Sequence, residues 1–148
     1  MSRYLVVAHE TVTNPKLLEE VKAVRRRDDQ AEFVLLVPAT PVRHLLFRRG
    51  GHEEAEAAAR RLAEKARAMF SKEGVDLVDA RVGAESPLDA IDEEVRARPD
   101  YAGFVISTLP TEKSRWLRMD LPRTVASKYG RPVYHVQALP DWSPGDLP

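Results

Sequence analysis

The chain has 148 residues, 43% hydrophobic and 31% charged, with equal numbers of acidic and basic side chains. That is the composition of one soluble globular domain with a real core, and it excludes disordered chains and proteins drawn to nucleic acid by net charge. Cysteine is absent, which removes disulfides and thiolate metal or redox sites, and no apolar run approaches the roughly twenty residues of a membrane span.

Met1-Ser2-Arg3 leads straight into an apolar strand without the apolar core and cleavage site of a signal peptide, so a cytoplasmic location is expected. That first strand, Tyr4-Leu5-Val6-Val7-Ala8, is continuously apolar, as in a sheet covered on both faces. Asn14-Pro15 then offers a capping side chain followed by proline in the first helical position. Leu17, Leu18, Val21 and Val24 recur at helical spacing behind it. Residues 32–37 form a second buried strand, stopped by Pro38 and Pro41. Residues 41–51 read as a loop carrying Arg43, Arg48 and Arg49.

The longest predicted helix covers 53–72, with Ala55, Ala59, Leu62, Ala66, Met69 and Phe70 on one stripe and Gly74 as its stop. A less buried strand, suited to a sheet edge, is expected over 75–82. Ser86-Pro87-Leu88-Asp89 is a compact helix start, and Leu88, Ile91 and Val95 are its buried face. Residues 101–108 form a fourth strand, 109–119 a polar loop, 120–129 a helix closed by Gly130, and 132–136 a fifth strand. Residues 1–136 are therefore expected to form one domain, followed by an extended tail, 137–148.

Strict alternation of strand and helix predicts an α/β fold, a doubly wound five-stranded parallel sheet flanked by about four helices. Ligands of such sheets bind beyond the carboxyl ends of the strands, where the winding reverses. That rule directs attention to His9, Glu10, Thr11, Thr40, Gly83, Ser107 and Thr108. The acidic bias of 85–100 and the basic bias of 113–131 fit two solvated helix faces or a partner-docking polarity.

The order and residues resemble the universal stress protein family. The matching pieces are Leu5-Val6-Val7-Ala8, the 53–72 helix, Gly74-Val75-Asp76-Leu77, Gly83-Ala84-Glu85-Ser86-Pro87, Phe104-Val105-Ile106-Ser107-Thr108 and Arg131-Pro132-Val133-Tyr134-His135-Val136. The resemblance implies an adenine-nucleotide-hydrolase-like sheet and a stress-related or regulatory role. It also implies a homodimer through the last strand, across Val133, Tyr134, His135 and Val136. ATP-binding members carry Gly-x-x-Gly, nine residues, then Gly-Ser or Gly-Thr. Here Ser107 and Pro110 replace the first two glycines, the third falls near Met119 or Asp120, and His9 stands in the place of the family's first-strand aspartate. Proline has no N–H to donate and a carboxylate repels phosphate, so no cofactor is expected and ATP is not expected to bind in the usual way.

Ser107, Thr108, Thr111, Lys113, Ser114 and Arg115 place hydroxyls and two cations in the loop after the fourth strand. They make either a remodelled site for an anionic small molecule or an exposed loop whose hydroxyls cap the next turn. His9 either meets a ligand or is satisfied by nearby backbone. The segment His52-Glu53-Glu54-Ala55-Glu56 lacks the second histidine of a zincin helix, so no metal site is expected. No Gly-x-Ser-x-Gly elbow is present. The sequence thus reads as a non-catalytic regulatory domain. A nucleotide-binding protein with a remodelled site and a small hydrolase or transferase stand as alternatives; neither nucleic acid nor membrane is expected as a partner.

Overall fold

The computed structural model describes residues 2–40, 51–110 and 114–138. The Arg43–Arg49 loop, Thr111, Lys113 and most of the tail, 139–148, lie outside the described residues. Strands β1 (Ser2–Val7), β2 (Ala31–Pro38), β3 (Asp79–Gly83), β4 (Tyr101–Thr108) and β5 (Val133–Gln137) alternate with helices α1 (Pro15–Arg27), α2 (Gly51–Lys72), α3 (Pro87–Ala97), α4 (Arg115–Arg118) and α5 (Leu121–Tyr129). All pairings are parallel, in the order β3-β2-β1-β4-β5.

Apolar runs build the middle of this sheet because both faces are covered. Val6, Leu35, Val37 and Val105 pack with α1 and α2, through Leu17, Val21, Ala59, Ala66 and Phe70. Leu5, Val7, Leu36, Phe104 and Ile106 pack on the opposite face with Ile91, Val95, Leu121 and Val125 of α3 and α5. The chain therefore winds outward from β1 in two directions, and the reversal falls between β1 and β4.

Local chemistry sets the helix starts. Asn14 Oδ1 accepts from the Lys16 N–H at 3.1 Å, and Ser86 Oγ accepts from the Asp89 N–H at 3.5 Å, each ahead of a proline. Gly83 closes the turn between β3 and α3. A Cβ there would lie 2.7 Å from Ala90 Cβ, so only glycine lets the helix approach the strand this closely.

Two elements differ from the sequence expectation. The third strand begins at Asp79 rather than Val75. Gly74 takes a positive φ of 84°, and Val75 and Leu77 then bury beneath α2 as irregular chain before pairing begins at Val34↔Asp79. A one-turn helix, α4, forms inside the expected polar loop, because Ser114 caps it and Trp116 buries. No helix among the described residues is long and apolar enough to cross a membrane.

Candidate functional site

Five parallel strands put residues distant in sequence at one end of the sheet. Val7 stands beside Leu36 and Ile106, Ile106 beside His135, and Ser107 beside Val136. The turn between β1 and α1 then folds over the carboxyl end of β4. The Val12 N–H donates to His9 O at 3.2 Å and the Asn14 N–H to Thr11 O at 2.9 Å, so residues 9–14 form a compact, backbone-bonded turn. Thr11 Oγ1 lies 2.6 Å from Ser107 Oγ, and this buried bond ties that turn to β4 at the winding reversal.

His9 is 9% exposed, and its Nε2 has no hydrogen-bond partner among the described residues. Burial pushes its pKa down to about 4, so the ring is a neutral imidazole at pH 7. Asn14 is 3% exposed; its carbonyl oxygen caps α1, while its Nδ2 is likewise unmatched among the described residues. A buried amide or imidazole nitrogen without a partner costs about 1–3 kcal/mol, so two in one six-residue turn mark a place where the fold leaves polar capacity open.

The other expected site residues are placed as follows. Thr40 donates to Glu85 O at 2.8 Å, clasping the end of β2 to the start of α3. Glu10 is half-buried in the turn. Thr108 Oγ1 bonds His135 Nε2 at 2.8 Å, joining β4 to β5, and partial desolvation of the ring, on an otherwise exposed residue, lowers the His135 pKa. Ser114 Oγ accepts from the Leu117 N–H at 3.1 Å, the capping role that was one of its two readings, and Arg115 is exposed. The structure thus brings Thr11 into contact with Ser107 and holds His9 and Asn14 in the same turn, with Thr40 at the end of β2 and His135 on β5. Asp120, one of the two positions near which the resemblance puts a third glycine, adopts the left-handed conformation, φ 52° and ψ 45°, with no side-chain cap. The backbone still demands what glycine does easily, and a short polar side chain is the usual substitute.

On β5, Tyr134 and Val136 turn toward the α1 and α2 face, with the Arg27 guanidinium 5.0 Å above the Tyr134 ring. Val133 packs on the other face, and His135 is exposed. Among the described residues β5 has a strand on one side only.

Sequence reasoning missed the second task of Asn14, read only as a cap, and the reach of Thr11. It also missed a charged network on the α3 face. There Glu94, 7% exposed, accepts from Tyr101 OH at 2.6 Å and pairs with Arg98 at 3.5 Å and Arg81 at 3.7 Å. Arg81 also pairs with Asp79 at 2.8 Å. The available signal was a glutamate next to Val95 on an apolar stripe, where a carboxylate needs partners.

The fold has counterparts among solved structures. A universal stress protein from Archaeoglobus fulgidus superposes with a TM-score of 0.61 at 15% identity, covering 92% of this chain and 93% of that one. The fold is that of the universal stress proteins. A universal stress protein in complex with cAMP matches at TM-score 0.58 and 13% identity, over 94% of this chain and all of the other. A family protein from Arabidopsis thaliana with AMP bound matches at 0.57 and 14%, over 99% of this chain and all of that one. No family model and no curated protein matches the sequence. The universal-stress-protein likeness is therefore carried by backbone architecture.

Proposed function

We propose that this chain is a non-catalytic regulatory domain that binds a small molecule at the carboxyl ends of β1 and β4 and acts as a homodimer paired through β5. One observation carries the binding reading. At the winding reversal, where sheets of this type receive ligands, a compact turn holds two buried and unmatched polar atoms, His9 Nε2 and Asn14 Nδ2. Two proteins of the same fold hold cAMP and AMP, which supports a small-molecule role. The non-catalytic reading is supported by Ser107, whose hydroxyl bonds Thr11 rather than a histidine. The dimer is supported by β5 being an edge strand, since an unpaired edge invites pairing with another chain.

A nucleotide in a remodelled site is the second reading, favoured by the AMP and cAMP complexes and by the exposed Arg115, two residues after Lys113 in the sequence. Thermal denaturation against nucleosides, nucleotides, phosphate and polyanions tests both, because a ligand of the folded state raises the melting temperature. Stabilisation by phosphates that Lys113→Ala abolishes would favour the second reading; a melting temperature unmoved by every compound would end both. Sedimentation at two concentrations tests the dimer, and a persistent 16.7 kDa species would end that part.

A further inference from the structure

The crevice at the winding reversal is bridged by the protein's own side chains. The chain leaves β1 toward α1, which packs on one face of the sheet through Leu17 and Val21. It leaves β4 toward α4 and α5, which pack on the other face through Trp116 and Leu121. Where two connections part in this way a crevice forms between adjacent strands, and doubly wound sheets admit ligands there. In this chain a bond crosses it. The β1–β4 ladder ends at Val7↔Ile106, and at the next residue of β4 Ser107 Oγ meets Thr11 Oγ1 at 2.6 Å. No ligand atom fits between two oxygens in hydrogen-bonding contact.

The turn moves with this bond because Thr11 belongs to both. The Asn14 N–H donates to Thr11 O and the Val12 N–H to His9 O, so Thr11 is part of the turn as well as its tie to β4. With the tie made, His9 Nε2 and Asn14 Nδ2 are out of reach of solvent. A ligand meets them only after the turn lifts. The tie itself is one neutral bond between short side chains 96 residues apart in sequence. Such a bond is worth a factor of about 2–10 in an equilibrium, the scale of a local opening rather than of unfolding.

Resting on the small-molecule reading above, we propose that the Thr11–Ser107 bond is an autoinhibitory latch. With the bond made, the β1–α1 turn shuts the crevice between β1 and β4, and the ligand binds the minor form in which the turn has lifted. Affinity is then reduced by the fraction of molecules that are open, and loosening the latch restores it.

Amide hydrogen exchange and calorimetric titration of the full chain test this. In the wild type, the Val12 and Asn14 amides exchange well ahead of the Phe104 amide, which bonds Pro132 O within the sheet, and at a rate insensitive to low urea. Ser107→Ala and Thr11→Val each break the latch and leave the other hydroxyl buried without its partner, which raises the open fraction. Adenosine, AMP and orthophosphate serve as probes: a neutral base, an anion carrying that base and the anion alone. Any probe that binds the wild type binds both variants about threefold or more tighter, although the variants are less stable. A bond that only braces the fold would leave affinity unchanged or lower it. Wild-type binding that is unchanged or weaker in both variants therefore overturns the latch and leaves the small-molecule reading standing. Exchange at Val12 and Asn14 no faster than at Phe104 does the same. If no probe binds the wild type or either variant, the small-molecule reading falls and the latch falls with it.

Discussion

The two polar clusters of this domain solve opposite problems. On the α3 face, Glu94 is surrounded by Tyr101, Arg98 and Arg81, so a buried carboxylate has hydrogen-bonding and ionic partners from β3, β4 and the residue that caps α3. At the carboxyl ends of β1 and β4, His9 and Asn14 are neutral, and each keeps one polar atom unmatched among the described residues. The first cluster joins elements; the second leaves polar capacity open beside a turn. Polar groups that hold a fold together meet one another, whereas those proposed to meet a ligand are held in place by other contacts. Asn14 shows this well, since its oxygen is fixed by the cap while its nitrogen is not.

Removing the hub of the charged cluster should give the largest effect. Glu94→Ala leaves Arg81 and the Tyr101 hydroxyl without their shared partner, and a loss of about 3–5 kcal/mol is expected in urea denaturation. A loss below about 1 kcal/mol would show that the network is solvated and would erase the contrast.

Next comes the pH response of the neutral cluster. The folded pKa of His9, about 4, lies below its ordinary value of 6.5. The folded state therefore binds the proton less readily than the unfolded state. The stabilisation is complete above pH 6.5 and is lost as pH falls toward 4, amounting to about 3 kcal/mol. His9→Gln should flatten the stability profile across that window relative to wild type. An identical slope in the variant would place the acid sensitivity elsewhere.

Tyr101→Phe removes one bond to a buried carboxylate and should cost about 1.5–3 kcal/mol. Burial and Glu94 raise the Tyr101 pKa, so the hydroxyl remains a donor throughout the working range and the effect should not vary between pH 6 and 9. The smallest expected change belongs to the latch over β4. Thr11→Val and Ser107→Ala should each cost about 1–2 kcal/mol, because each strands the other hydroxyl. The double variant should cost less than the sum, by a coupling of at least about 0.5 kcal/mol. Strict additivity would show that the 2.6 Å contact joins the two elements only in geometry.

Much of the fold was legible in sequence because its signals are local. Alternating apolar runs and amphipathic stretches, with Asn14-Pro15 and Ser86-Pro87 as caps and Gly130 as a stop, determine which segments are strands and which are helices. The third strand was misplaced because Val75 and Leu77 carry strand-like apolarity that serves burial under α2. Only register with Phe33 and Val34 of β2 shows where pairing starts, the Val78 N–H meeting Phe33 O before the ladder begins at Asp79. The candidate site was half legible. His9, Thr11 and Ser107 follow from the rule that ligands sit past the strand ends, but the pairing of Thr11 with Ser107 and Asn14 as a site residue do not.

The sequence by itself determined the element order, the two-sided burial of β1, β2 and β4, and the loss of the glycine pattern after β4. The tertiary structure alone decided that Thr11 reaches Ser107, 96 residues away, and that His9 is buried and neutral. It also decided that Glu94 on an otherwise apolar helix face has Tyr101 and two arginines to meet it. The physical reason is separation in the chain. Propensity and capping act within a few residues, whereas desolvation and hydrogen-bond partnership depend on which distant strands the winding of the sheet sets side by side.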